Sequence, residues 1–312
     1  MFNLPPRKCG QYALTDVARP ISTTNNSCVH QATKTKTGEK VILKFIPLTS
    51  PDFIKNAENE CTIQSSLKHP FVMSPIISNF THRRDSYRLL EMQLGLCSLA
   101  GVHEKIKDLE TIYKIMYQMS LGVCYLHDMR VLHGDIKPEN FVLMKDDKYN
   151  PEIRIIDFGS AYHFKEEDMS KCIISLPSGT TIYNPPELLA DPPEPHSFPI
   201  DIWSLGATFY YLITGELVLN FSSYKKVMYD EAKSILFKYN KKFGPQFDES
   251  GKDLIKNMMK FYPEQRLTAK EVLESPFFNN VLDHEWIEMQ HMIVTQGMKN
   301  NEDQIALDED FE

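Results

Sequence analysis

The chain has 312 residues, 42% hydrophobic and 24% charged, with 13 glycines and a net charge of −8. Those figures exclude a fibrous or wholly disordered protein, and the acidic balance excludes a broad nucleic-acid-binding surface. At about 150 residues per domain, the length suits two compact units or one large unit with two lobes.

The N-terminus has no apolar core of signal-peptide length, so secretion is not expected. From Tyr12 to about Phe45 the pattern predicts short antiparallel strands, the clearest being Lys40-Val41-Ile42-Leu43-Lys44-Phe45 after a Thr37-Gly38 turn. Ser50-Pro51-Asp52 then reads as a helix start, with Ile54, Ala57, Cys61 and Gln64 on one face and Gln64 its polar exception. After Glu91 the period turns helical: Ile112, Ile115, Met119, Val123 and Leu126 predict a long helix closing just before His127-Asp128. Further helices are expected around Ile202–Leu212 and Leu254–Phe261, and Thr268-Ala269-Lys270-Glu271 has the form of a capping box. Pro192-Pro193-Glu194-Pro195 breaks structure between them. Six carboxylates and no Lys or Arg fall in residues 301–312, leaving residues 1–300 with a net −2, so the tail is expected to be disordered.

No stretch of about 18 apolar residues occurs, so no membrane span is expected. The six cysteines, at 9, 28, 61, 97, 124 and 172, form no C-x-x-C pair and fit a reducing, intracellular compartment, cytoplasmic or nuclear. Sequon triplets at Asn25, Asn79 and Asn220 then read as chance matches.

The chemistry concentrates in His133-Gly134-Asp135-Ile136-Lys137-Pro138-Glu139-Asn140, followed by Asp157-Phe158-Gly159. In order and spacing these resemble the H-R-D-x-x-x-x-N and D-F-G motifs of the eukaryotic protein kinases, with Gly134 in place of Arg. The resemblance covers about Tyr12 to Phe278. It implies an α+β, bilobal fold with a small β-rich N-lobe carrying one helix and a larger helical C-lobe. The expected layout is an N-terminal extension over 1–11, a kinase-like domain over 12–281 with lobes at about 12–91 and 94–281, and a C-terminal extension over 282–312.

Phosphoryl transfer spreads charge over phosphate oxygens, so its catalysts position and neutralise. By resemblance, Asp135 would take or orient the substrate hydroxyl's proton and Lys137 would neutralise the transferring phosphate. Asn140 and Asp157 would supply oxygen ligands to Mg2+, and Lys44 would hold the ATP phosphates while paired with Glu60. Val29, Ile42 and Val142 would sandwich adenine, with backbone groups of Glu91 and Gln93 bonding its edge. Cys97 would lie near the ribose. Taken singly, the motif residues also suit a capped surface turn, a snorkelling lysine and an exposed glutamate.

Gly179-Thr180-Thr181-Ile182-Tyr183-Asn184-Pro185-Pro186-Glu187 resembles the family's G-T-x-x-Y-x-A-P-E, with Glu187 expected to pair with Arg266 and Thr180 to approach Asp135 and Lys137. Asp201-Ile202-Trp203-Ser204-Leu205-Gly206 resembles the helix start whose Asp steadies the catalytic loop. Lys137 with Thr180 implies a Ser/Thr protein substrate. Three departures stand out. The phosphate-loop glycine positions hold Ser22, Thr24 and Ser27; Ile42 is bulkier than the usual Ala; and Gly134 removes the cation that would read phosphorylation at Ser170, Ser175, Ser178 or Thr181. The favoured reading is a protein Ser/Thr kinase using ATP and Mg2+, without nucleic-acid or membrane partners. The alternative is a pseudokinase scaffold or nucleotide-binding regulator, and Gln64 leaves room for an activating protein partner.

Overall fold

A computed structural model describes residues 7–24, 26–102, 106, 108–165, 181–194, 196–219, 225–233 and 249–309. The chain divides into two units, one formed by residues up to Lys68 plus Met73–Gly95, the other by His69–Val72 plus Leu96 onward.

The first unit is a seven-stranded antiparallel sheet with one helix. Its strands are β1 (Lys8–Cys9), β2 (Tyr12–Leu14), β3 (Ser22–Thr23), β4 (Cys28–Lys34), β5 (Lys40–Pro47), β6 (Ile76–His82) and β7 (Asp85–Gln93). Their order is β1-β2-β4-β5-β7-β6, with β3 on β4. Alternation along β5 sorts its two faces. Val41, Leu43 and Phe45 join Cys28, Ala32, Tyr87 and Leu89 in one core, where Phe45 meets Phe80 and Tyr87 edge to face. Ile46 turns the other way, into a cluster with Leu90 and with Ala57 and Cys61 of helix α1 (Pro51–Ser66).

That helix begins where the sequence predicts: Ser50 Oγ accepts from Phe53 N and Pro51 occupies the first turn, where a missing N–H costs nothing. Its buried face is Ala57, Glu60, Cys61, Ile63 and Gln64. Ile54 is a correction, because it is exposed in the first turn, whereas Glu60 takes an inward position.

The second unit is built on two buried helices. α2 (Leu109–Asp128) starts at Asp108, whose carboxylate accepts from Thr111 N at 2.9 Å, and it is buried on nearly every side, as a central helix must be. After the short strands β8 (Cys97–Ser98) and β9 (Val131–Leu132) come β10 (Phe141–Lys145), β11 (Glu152–Ile155) and β12 (Tyr162–His163), paired in the orders β11-β10-β8 and β12-β9. α3 (Pro186–Leu189) precedes α4 (Pro199–Thr214), the second central helix, which ends on Gly215 at φ 72°. α5 (Lys225–Lys233), α6 (Glu249–Met258), α7 (Ala269–Leu273), α8 (Pro276–Val281) and α9 (His284–Glu309) complete it.

The capping box at Thr268 and Glu271 forms in full. α6 stops at Met258 rather than near Phe261, and the carbonyls of Lys260 and Phe261 accept from the Arg266 guanidinium. α9 packs on α2 through Gln118–Gln290 at 3.0 Å and Tyr117–His291 at 2.9 Å. Its backbone stays helical to residue 309, where composition suggested disorder; once nucleated on packed residues, a helix adds one bond per residue fixed.

Candidate active site

In the first unit, cross-strand register places Val29, Lys44 and Leu90 in one row across β4, β5 and β7, and Gln31, Ile42 and Met92 in the next. Lys44 faces α1, where its ammonium meets Glu60 Oε1 at 2.5 Å with both side chains about 7% exposed. Removing either partner would leave a buried charge, at about 3–5 kcal/mol. Glu91 points to the opposite face, beneath β2 and β4. Its carboxylate accepts a hydrogen bond from the Tyr12 hydroxyl and pairs with Lys34 at 2.6 Å. Gln93 ends β7 opposite Val41.

The glycine-free loop is closed on itself. Thr24 Oγ1 accepts from Asn26 N at 3.2 Å and from Ser27 N at 3.0 Å, while Thr24 N donates to Ser27 O at 2.9 Å. Amides that glycines would leave to a phosphate are here taken by a side chain. Asn25 lies outside the described residues. Gln64 is buried; its side-chain Nε2 donates to Met73 O at 3.4 Å, and its Oε1 has no partner among the described residues.

In the second unit, the loop between β9 and β10 is organised by one carboxylate. Asp201, in the first turn of α4, accepts from His133 N at 2.8 Å and Gly134 N at 2.9 Å, and its Oδ2 lies 3.1 Å from His127 Nε2. Burial alone would raise its pKa. The hydrogen bond and charge of His127, with the His133 amide, reverse this and hold the carboxyl below its ordinary value. Gly134 has φ 75°, a left-handed conformation that glycine adopts without the Cβ penalty an arginine would meet.

His133 Nδ1 accepts from Asp135 N at 3.3 Å, so the ring carries its proton on Nε2, which donates to Ile156 O at 3.1 Å. Asp135 Oδ2 accepts from Lys137 Nζ at 2.6 Å and from Asn140 Nδ2 at 3.1 Å, and the same Nδ2 donates to Asp135 O at 2.8 Å. Asn140 therefore uses its nitrogen on Asp135, leaving the amide oxygen as the atom suited to a cation. Asn140 O accepts from Ile156 N at 2.9 Å, which ties the loop to the residue before Asp157. Asp157 is at φ 66°, uncommon for a residue with a Cβ and a sign of a functionally constrained backbone.

Two protein oxygens, from Asn140 and Asp157, fit Mg2+, which keeps waters and substrate phosphates as its other ligands. Among the described residues no cluster of three His, Cys, Asp or Glu could hold a metal outright. Val142 lies on β10 opposite Ser98, with Cys97 half-buried beside it on β8. Arg266 and Glu187 form a buried bidentate pair at 2.6 and 2.7 Å, and the remaining guanidinium bonds go to carbonyls of Pro199, Lys260 and Phe261. Gly179, Thr180, Ser170, Ser175, Ser178 and Cys172, and the side chain of Thr181, lie outside the described residues.

Sequence reasoning missed His127, Thr24 as a loop latch, and Tyr12 with Lys34. Only Thr24 had a local signal, a hydroxyl three residues before Ser27 between strands. The protein kinase domain model matches residues 17–278. The chain is 30% identical over 232 residues to an Aurora kinase of Debaryomyces hansenii, covering 72% of this chain and 52% of that protein. It is 28% identical over 268 residues to an Aurora kinase of Schizosaccharomyces pombe, covering 84% and 70%. With the calcium/calmodulin-dependent protein kinase type 1 of Macrobrachium nipponense it shares 29% over 254 residues, covering 78% and 68%. The chain thus spans about half the length of the Debaryomyces relative.

Proposed function

The chain belongs to the protein kinase domain family, and we propose that it is an active protein serine/threonine kinase, moving the γ-phosphate of ATP to a hydroxyl of a protein substrate. The observation that carries this is the Asp135 carboxylate, held by Lys137 and Asn140 on a loop whose backbone is fixed by Asp201. A carboxylate so placed accepts the hydroxyl proton, and the adjacent ammonium is positioned for the negative charge that develops on the phosphoryl oxygens. Within the first unit, Lys44, steered by Glu60, grips the nucleotide phosphates, and the backbone of Glu91 and Gln93 reads adenine beside Val29 and Ile42. Asn140 and Asp157 hold Mg2+, which when bound neutralises phosphate charge. Serine or threonine specificity rests on the resemblance carried by Lys137 together with Thr180, the latter outside the described residues. Gly134 leaves no arginine on this loop to receive a phosphate, so activity is independent of activation-segment phosphorylation.

A second reading, a nucleotide-binding scaffold, is favoured by one observation, the Thr24 latch that occupies loop amides. The Gln64 oxygen would also gain from an activating protein partner. No helix among the described residues is long and apolar enough to cross a membrane. Incubation with Mg-ATP and a mixed peptide library, beside the Asp157→Asn variant, separates the readings. Transfer that disappears in the variant supports the kinase, and folded wild type that transfers nothing supports the scaffold.

A further inference from the structure

Glu91 is a carboxylate inside a hydrophobic core. It shares a face of β7 with Tyr87 and Leu89, both in the cluster that includes Tyr12, Leu14 and Phe45, and its side chain is 8% exposed. An ion so placed needs partners, and β2 and β4 deliver them. Tyr12 donates its hydroxyl hydrogen to one carboxylate oxygen, Lys34 pairs with the other at 2.6 Å, and Gln11 Nε2 donates to the Tyr12 oxygen at 2.9 Å. Lys34 also meets Glu39 at 2.9 Å. Burial and the Glu91 hydrogen bond raise the Tyr12 pKa, while hydrogen bonds to Glu91 and Glu39 raise that of Lys34, so both remain protonated donors near neutrality.

The position of this network in the sheet gives it a use. β6 pairs with β7 only as far as Ile76 opposite Glu91, whereas β5 continues to Val41 opposite Gln93. Met92 and Gln93 therefore project past one neighbouring strand. Backbone groups of residues two apart in a strand point to the same edge, so Glu91, still paired with Ile76, sets the edge on which Gln93 presents its own just past the end of β6. A register or twist error at Glu91 displaces both.

We propose that Tyr12 and Lys34 are positioning residues for adenine, gripping the Glu91 carboxylate so that the projecting end of β7 keeps the backbone geometry that reads the base. This rests on the nucleotide reading above. Buried ionic groups are weak stabilisers in general but can fix register, and this one joins strands far apart in sequence at the point where the ladder thins. Specificity for the base, rather than affinity for the phosphates, is what the network controls.

Calorimetric titration of the full chain with adenosine, and separately with magnesium tripolyphosphate, tests this. Tyr12→Phe keeps the ring in the core and removes only the hydroxyl. Lys34→Met removes the cation and Lys34→Arg keeps it. Adenosine should bind about 3- to 10-fold more weakly to Tyr12→Phe and Lys34→Met, the equivalent of one net hydrogen bond, with recovery in Lys34→Arg and tripolyphosphate binding unchanged. KM for ATP should rise by a similar factor while kcat holds. A lowered Tm with unaltered adenosine binding, or an equal loss for adenosine and tripolyphosphate, makes the network merely structural and overturns the proposal while leaving the nucleotide reading intact. Wild type that binds no adenosine overturns both.

Discussion

Replacing Asp201 by Asn changes one atom and sets donor against donor. The carboxylate accepts from His133 N on Oδ2 and from Gly134 N on Oδ1, and His127 shares Oδ2. Asparagine offers one acceptor oxygen, so whichever way its amide is turned, its nitrogen faces one of these two N–H groups. A buried unpaired amide costs about 1–3 kcal/mol, and the hydrogen bonds that remain lose the strength conferred by the anion. The sum is about 3 kcal/mol or more, and at about 2–4 °C per kcal/mol for a domain of this size Tm should fall by about 6–12 °C. The same substitution has a pH signature. Because the folded carboxyl lies below its ordinary 3.8, its stabilisation is present above that value and is lost as pH falls through the lower folded value. The acid-unfolding component that begins near pH 4 should therefore be absent from Asp201→Asn. Thermal melts across pH, with hydrogen exchange at the His133 and Gly134 amides, measure both effects. A Tm within about 2 °C of wild type, or undiminished protection of those amides, would refute the anchoring role.

Other consequences can be measured on the same protein. Arg266→Met should lower stability by about 3–5 kcal/mol by stranding Glu187, and adding Glu187→Leu should restore part of it in a double-mutant cycle. Gly134→Ala should cost about 1 kcal/mol in denaturant melts, since alanine must adopt φ 75°. Treatment with a phosphatase should leave phosphotransfer unchanged. His69 stacks on Tyr125 at 4.6 Å, and burial lowers its pKa from 6.5 to about 4. Protonation therefore favours the unfolded chain, and stability intact above pH 6.5 should drop by about 2 kcal/mol between pH 7 and pH 5, a component missing from His69→Phe.

What the sequence made legible is what local spacing encodes. Ser50 and Pro51 start α1, Thr268 and Glu271 cap α7, and the bonds among Asp135, Lys137 and Asn140 span five residues or fewer. Even there, Ile54 misled, because a hydrophobic residue in a first turn can face solvent while a glutamate paired with Lys44 turns inward. β6 escaped notice because it is an edge strand exposing much of its length, with little apolar alternation to betray it. The Tyr12–Glu91 bond joins residues 79 apart and the His127–Asp201 bond residues 74 apart. Such pairs depend on how strands and helices stack, which periodicity within one element does not carry. The Asp201 role came instead from motif order, which stores a tertiary contact as a spacing.

The most direct measurement follows radiolabel from the γ-position of ATP onto peptide for wild type and Asp135→Asn, with Mg-ATP binding titrated in parallel. With Asp135 as the proposed proton acceptor and Lys44–Glu60 as the proposed phosphate grip, the substitution should abolish transfer and leave nucleotide affinity within about threefold. Equal transfer by both proteins, or tight binding by a wild type that labels no peptide, would contradict the assignment of this chain as a working kinase.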